Sequence, residues 1–222
     1  MILFHVLYDL NYFNIFKINF DTHFFQSYIY LNATPFLLLV GISLSLSFSR
    51  AKKTMTEREL QKKFLLRGLK IFGYGLIITL VTWFYLVDGF IIFGILHCIG
   101  ISIILAYPFL KFQKYILQSG VPLIIASIFL KTLTFDFNWL LWLGFIPAGF
   151  YTVDYFPLLP WFGVVLVGIF IGNKLYKDNK RIFNLKDMSA FKPVKFFCFI
   201  GRHSLVVYLL HQPIVIGIIY LF

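Results

Sequence analysis

Five histidines and a handful of acidic side chains stand inside or beside otherwise apolar stretches of this chain. Ionisable groups are costly within a bilayer, and where they occur there they mark function. His5 and Asp9 are four residues apart, so a helix puts them on one face. Such a pair is either a general base with its orienting carboxylate or a structural pair tying the first helix to its neighbours. His23 lies in DTHFFQSYIYLNATPFLLLVG, at the mouth of the second apolar segment. A neutral imidazole there can take a proton from a hydroxyl or amine, or accept an acyl group itself, with Asp21 nearby to orient it. From pattern alone, an ordinary histidine at the membrane–water interface is the commoner case. His97, in FGILHCIGISI, reads as a packing residue about two turns into its helix. His211, in YLLHQP, is followed by Gln212 and Pro213, which predict a local helix break that frees carbonyls.

A second group is basic. Arg50, Lys53, Arg67, Lys70, Arg202 and His203 fall at the same ends of three helices. Positive charge at cytoplasmic helix ends accounts for most of them. The sharper reading is a mouth for a phosphorylated donor, since Arg grips phosphate bidentately and Lys acts as a point charge.

The elements that must position these groups are membrane helices. Of the 222 residues 60% are hydrophobic and 13% charged, against about 25% charged in soluble domains. A soluble core of this size cannot hide so much apolar surface, so the excess faces lipid. The expected fold is an all-α polytopic membrane bundle, one domain over 1–222. Its seven spans are 1–13 (a half-length segment), 24–49, 64–87, 89–110, 115–130, 155–173 and 196–222. Trp139 and Trp142 in the aromatic, Pro- and Gly-rich stretch between the fifth and sixth spans read as interfacial anchors on a re-entrant turn. One side of this layout holds 18 of the 20 Lys and Arg, leaving Lys17 and Lys131 on the other. That asymmetry places the N-terminus inside and the C-terminus outside.

Other classes fall away. The +11 charge sits in short loops between spans, which argues for topology rather than nucleic acid. The histidines lack metal-ligand spacing, and Cys98 and Cys198 read as two buried free thiols. No phosphate-cradling glycine loop and no G-x-S-x-G elbow appears. No basic leader with a cleavage site is visible. A proton-coupled transporter using the histidines as a path, and a non-catalytic membrane partner, stand as alternatives to an enzyme. The absence of an internal repeat counts against the transporter.

Six stretches carry a more specific signal: MILFHVLYDLNYF, FLLLVGISLSLSFSRAKK, FLLRGLKIFGYGLIITLVTWF, FGILHCIGISIILAYPFL, VDYFPLLPWFGVVLVGIFIG and FIGRHSLVVYLLHQP. In order and spacing they resemble the prokaryotic branch of the heparan-alpha-glucosaminide N-acetyltransferase catalytic-domain family, over nearly the whole chain. The resemblance implies acetyl-CoA as acyl donor from the cytosolic side, with no metal, and a sugar or glycan acceptor reached from the other side. It implies a multi-pass protein of the cell membrane, surrounded by lipid, and leaves room for a homodimer. His23 resembles the family's histidine before the second helix, and His211 its last-helix histidine. His5 lies near the place of a family asparagine, a departure because histidine exchanges protons and asparagine does not. The family also has an Arg-Gly stretch and half a helix before the MILFH segment, so this sequence is expected to open inside helix one. On this reading His23, His5 and Asp9 carry the catalysis. CoA is held by Arg50, Lys53, Arg67, Lys70, Arg202, His203 and His211.

Overall fold

The computed structural model describes residues 2–17, 23–86, 88–177, 180–184, 188 and 190–221. They are mostly helical, and the chain divides into two compact units, Met1–Asn32 with Asn184–Phe222, and Ala33–Phe183.

The larger unit begins within α2 (His23–Ala51), which carries Pro35 without ending there. A turn leads to α3 (Glu57–Tyr85), whose start is written locally. The Thr56 hydroxyl accepts the Glu59 N–H, and the Glu59 carboxylate accepts the Thr56 N–H at 2.8 Å. This reciprocal cap satisfies two donors that a helix start leaves open. It begins α3 two turns earlier than the apolar pattern alone suggests. Then follow α4 (Ile95–Lys111), α5 (Ile116–Leu130, entered through a 3-10 turn at Gln113–Tyr115) and α6 (Leu158–Leu175). Beyond α6 a two-strand ribbon pairs β1 (Tyr176–Lys177) antiparallel with β2 (Lys180–Arg181).

These helices touch through small residues. Gly168 and Gly172 are four apart on α6, and Gly41 and Ser45 four apart on α2. Gly41 abuts the backbone of Val165 and Gly168, and Gly172 abuts Ser45. The Ser45 hydroxyl donates to Asn173 Oδ1 at 2.5 Å. Gly68 of α3 and Gly100 of α4 likewise face each other's backbone. Close backbone approach at small residues is how helices associate where lipid removes the hydrophobic drive. Leu37, Leu44, Phe64, Ile103, Val165, Leu166 and Ile169 fill the core between them.

Residues 88–94 are not helical, so α4 starts six residues later than expected and is 17 residues long. The reason is a pairing that no local pattern announces. The segment is laced to the stretch before α6: the Val153 N–H donates to Gly89 O, the Phe156 N–H to Phe93 O, and the Thr152 hydroxyl to Phe90 O.

The smaller unit holds α1 (Ile2–Tyr12), the first turns of α2, and the pair α7 (Lys192–Arg202) and α8 (Ser204–Ile219). α7 and α8 are bent by 77° at His203. The break expected at Gln212–Pro213 therefore lies elsewhere, and α8 runs on through Pro213. Among the described residues four helices are long and apolar enough to cross a membrane, or five if the bent pair forms one span. The expected count of seven included α1 and α4, which fall short of that length. Cys98 is buried as expected, but Cys198 on α7 is exposed, which corrects its reading as a buried thiol.

Candidate functional site

Two residues of α1 meet two of α8 within the smaller unit. The four-residue spacing of His5 and Asp9 brings both to the face that meets α8, and Asp9 is buried. Gln212 Nε2 donates to both Asp9 oxygens, at 2.8 and 3.0 Å. Asp9 thus turns to Gln212 rather than orienting His5. The ring of His5 faces that of His211 instead, with centroids 5.0 Å apart and planes at 55°.

The bonds of His211 fix its tautomer. Its Nδ1 lies 2.6 Å from the Tyr208 carbonyl oxygen. A carbonyl only accepts, so in the neutral ring Nδ1 carries the proton and Nε2 keeps its lone pair. That Nε2 is buried and has no hydrogen-bond partner among the described residues. The same holds for Gln212 Oε1, whose orientation is fixed because the amide nitrogen must face the carboxylate. Two buried acceptors on adjacent residues therefore stand unsatisfied, an arrangement that costs stability unless it serves something. What satisfies both is a group bearing N–H or O–H donors.

The other sequence candidates stand on other elements or at element ends. His23 is the first residue of α2 and is exposed, and Asp21, expected to orient it, lies outside the described residues. Arg50 and Lys53 are exposed on the larger unit, at the end of α2 and just after it. Arg67 and Lys70 are exposed too, but about three to four turns into α3, because its Thr56 cap starts the helix at Glu57 and takes them away from the helix end where they were expected. Arg202 and His203 are exposed at the α7–α8 bend of the smaller one, with His203 Nδ1 bonded to the Phe199 carbonyl at 2.9 Å. Among the described residues no three His, Cys, Asp or Glu side chains gather as metal ligands would.

His97 packs as expected, but in the first turn of its helix. It is buried against Phe72 and Phe93, and its Nδ1 accepts the Gly94 N–H at 3.2 Å. Asp154, which the sequence reading passed over, takes the neighbouring Ile95 N–H at 3.2 Å. Together they cap α4. The Gln212 role was also missed. Its signal was the pairing itself: a carboxylate and an imidazole four apart on one helix, and an adjacent imidazole and amide on another.

The profile of the family Heparan-alpha-glucosaminide N-acetyltransferase, catalytic, matches residues 1–213. The chain belongs to this family. No curated protein and no solved structure gives a significant match. Family membership and the apolar helices together make the chain a membrane protein of the acyltransferase kind. His5, Asp9, His211 and Gln212 all lie within the matched residues.

The Asp154 cap gives a family member of this shape a measurable pH dependence. Burial pushes its carboxyl up to about 6, with the Ile95 N–H pulling the other way. A raised folded-state pKa means that the native protein holds this proton more tightly than the unfolded chain. The resulting stability is complete below the unfolded value near 3.8 and is lost as pH rises through about 6. The midpoint of thermal unfolding in detergent should therefore fall between pH 4 and 6, by an amount equivalent to about 1 to 3 kcal/mol. Asp154→Asn still offers an oxygen to the Ile95 N–H and should flatten this slope. An equal slope in the variant would remove Asp154 as its source.

Proposed function

We propose that this chain is a multi-pass acyltransferase of the cell membrane. It takes an acetyl group from cytosolic acetyl-CoA and places it on an amine or hydroxyl of a sugar acceptor. The α1–α8 cluster is its proton-transfer centre. The observation that carries this reading is the pair of unsatisfied acceptors, His211 Nε2 and Gln212 Oε1. An acceptor amine offers two N–H groups to two waiting lone pairs, and a hydroxyl offers one.

The step balances as follows. The acceptor nitrogen or oxygen attacks the thioester carbonyl carbon, forming a C–N or C–O bond. The C–S bond breaks and CoA departs as thiolate. His211 Nε2 takes the proton that the acceptor loses and returns it to the sulfur. Nδ1, held on the Tyr208 carbonyl, keeps the ring aimed during both events. His5, ring against ring, is the second imidazole through which the proton can be exchanged with solvent. Asp9 is a positioning residue: it fixes the Gln212 amide and so aims Oε1. This moves His211 from donor binding to acid–base work.

The donor's phosphates suit exposed basic groups: on the larger unit Arg50 and Lys53 at the α2–α3 turn with Arg67 and Lys70 about three to four turns into α3, and on the smaller unit, taken by itself, Arg202 with His203 at the α7–α8 bend. His23 stands exposed at the head of α2. An exposed ring has no held geometry for proton transfer, so its part on this reading is contact with the arriving acceptor. The orientation that puts these basic ends in the cytosol rests on the charge asymmetry of the loops.

The test is reconstitution in proteoliposomes with isotope-labelled acetyl-CoA and a glucosamine-terminated oligosaccharide. The expected result is acceptor-dependent release of CoA and an acetylated sugar detected by mass spectrometry. Release of CoA that no sugar amine or hydroxyl accelerates would overturn the reading.

A further inference from the structure

A cavity of about 420 Å³ opens beside the start of α4, lined by Phe93, Asn138, Leu141, Trp142, Gly149 and Phe150 among others. A groove of about 530 Å³ runs between α4, α5 and α6, past Leu105, Phe109, Pro122, Leu123 and Phe162. Both lie wholly within the larger unit, and Trp142 lines both. It sits in the 3-10 turn Leu141–Leu143, where Leu141 lines the cavity and Leu143 the groove.

The two spaces differ in chemistry. The groove exposes no polar atom and is the lateral face of three helices, so only hydrocarbon gains by filling it. The cavity is of a size that holds one small ligand group, within the usual range of about 300 to 1,000 Å³. It combines aromatic faces with an amide. Asn138 is exposed, and its side chain makes no hydrogen bond among the described residues. Gly149, with φ +71°, turns the backbone at the cavity lining. Aromatic faces take the C–H face of a pyranose, whose hydrogens carry partial positive charge toward the negative ring face. Amide and backbone groups take its hydroxyls. Indoles favour the border between hydrocarbon and water, because one end is apolar and the other wet.

The geometry points to a binding site for one amphipathic molecule, a saccharide-headed lipid, with its sugar in the cavity and its chain in the groove, joined across Trp142. This goes beyond the proposed function: it concerns ligand binding on the larger unit alone and gives the α1–α8 cluster no part in it. A phospholipid would use the groove but leave the Asn138 cavity empty. A soluble sugar would use the cavity but leave the groove to bulk lipid.

Binding is read in nanodiscs without acetyl-CoA, as saturable occupancy above protein-free discs, using a long-chain alkyl glucosaminide, methyl glucosaminide and phosphatidylglycerol as probes. The alkyl glucosaminide should bind at least tenfold more tightly than the methyl compound. Trp142→Ala and Leu123→Trp, which fills the groove, should each weaken it about tenfold. Asn138→Ala, at an exposed position that leaves the fold alone, should weaken both sugar probes and not phosphatidylglycerol. Equal affinity for the methyl and alkyl compounds would overturn the proposal, as would full competition by phosphatidylglycerol or indifference to all three substitutions. Acetylation of soluble glucosamine without glycolipid binding would sink this inference alone. Glycolipid binding without any acetyl transfer would uphold the site and sink the enzymatic reading.

Discussion

Replacing His211 by Asn is expected to lower acetyl transfer by about 10²- to 10⁴-fold, the usual contribution of a positioned general base. The choice of Asn matters. Its side-chain N–H sits close to the place of Nδ1 and can still donate to the Tyr208 carbonyl, so the local anchor in α8 survives. What disappears is the lone pair of Nε2, the buried atom that has no partner among the described residues. Binding of acetyl-CoA, followed by ligand-induced thermal stabilisation, should be unchanged within about twofold, because the phosphates are assigned to exposed basic groups on other elements. The loss should fall on kcat rather than on the KM for donor. A variant that transfers acetyl at the wild-type rate would remove His211 from the chemistry and return His23 to first place. Asp9→Asn probes the same centre from behind. It leaves the proton-transfer atoms in place but loosens the Gln212 clamp, so a smaller loss that includes acceptor KM is expected.

How much of this was legible beforehand depends on the range over which each residue acts. The helices from α2 to α6 were readable, because each is written in a continuous apolar run and, for α3, in a Thr56–Glu59 cap. The pairing of His5 with Asp9 on one face was readable for the same reason, since four residues is a local distance. What they face was not. Gln212 lies 203 residues from Asp9 in the chain, and nothing in YLLHQP by itself distinguishes a clamp from a helix irregularity. The same limit hid Asp154, which caps a helix 59 residues away. It also displaced the start of α4, where hydrogen bonds to the stretch before α6 decide against a helix. Pro213 misled because a proline can be accommodated in a helix whose surroundings re-satisfy the freed carbonyl. The real bend at His203 has no proline to announce it.

The glycines supply the largest effect expected on stability, and it separates two positions of identical composition. A Cβ built at Gly41 lands far inside van der Waals distance of the Val165 carbonyl oxygen, 2.7 Å from Ile169 N and 2.8 Å from the Gly168 Cα. Each of these is α6 backbone, which cannot swing aside as a side chain end can. Gly168 meets the α2 backbone at Leu38 in the same way, so the approach is reciprocal. Gly41→Ala must therefore push α2 and α6 apart, lengthening the Ser45–Asn173 hydrogen bond and opening the core around Leu37, Leu44 and Val165. Overpacking of this kind costs about 1 to 3 kcal/mol where neighbours can yield, and more where they cannot. The expected result is a fall in the unfolding midpoint on the order of 10 °C, with loss of monodisperse protein in detergent. Gly73 on α3 is the control, because nothing lies within 4 Å of its Cβ position. Gly73→Ala should leave the midpoint unchanged or raise it, since an open helical site gains up to about 1 kcal/mol from the better helix former. Equal midpoints for the two variants would mean that α2 and α6 do not approach at Gly41, and that the small residues there have some other cause.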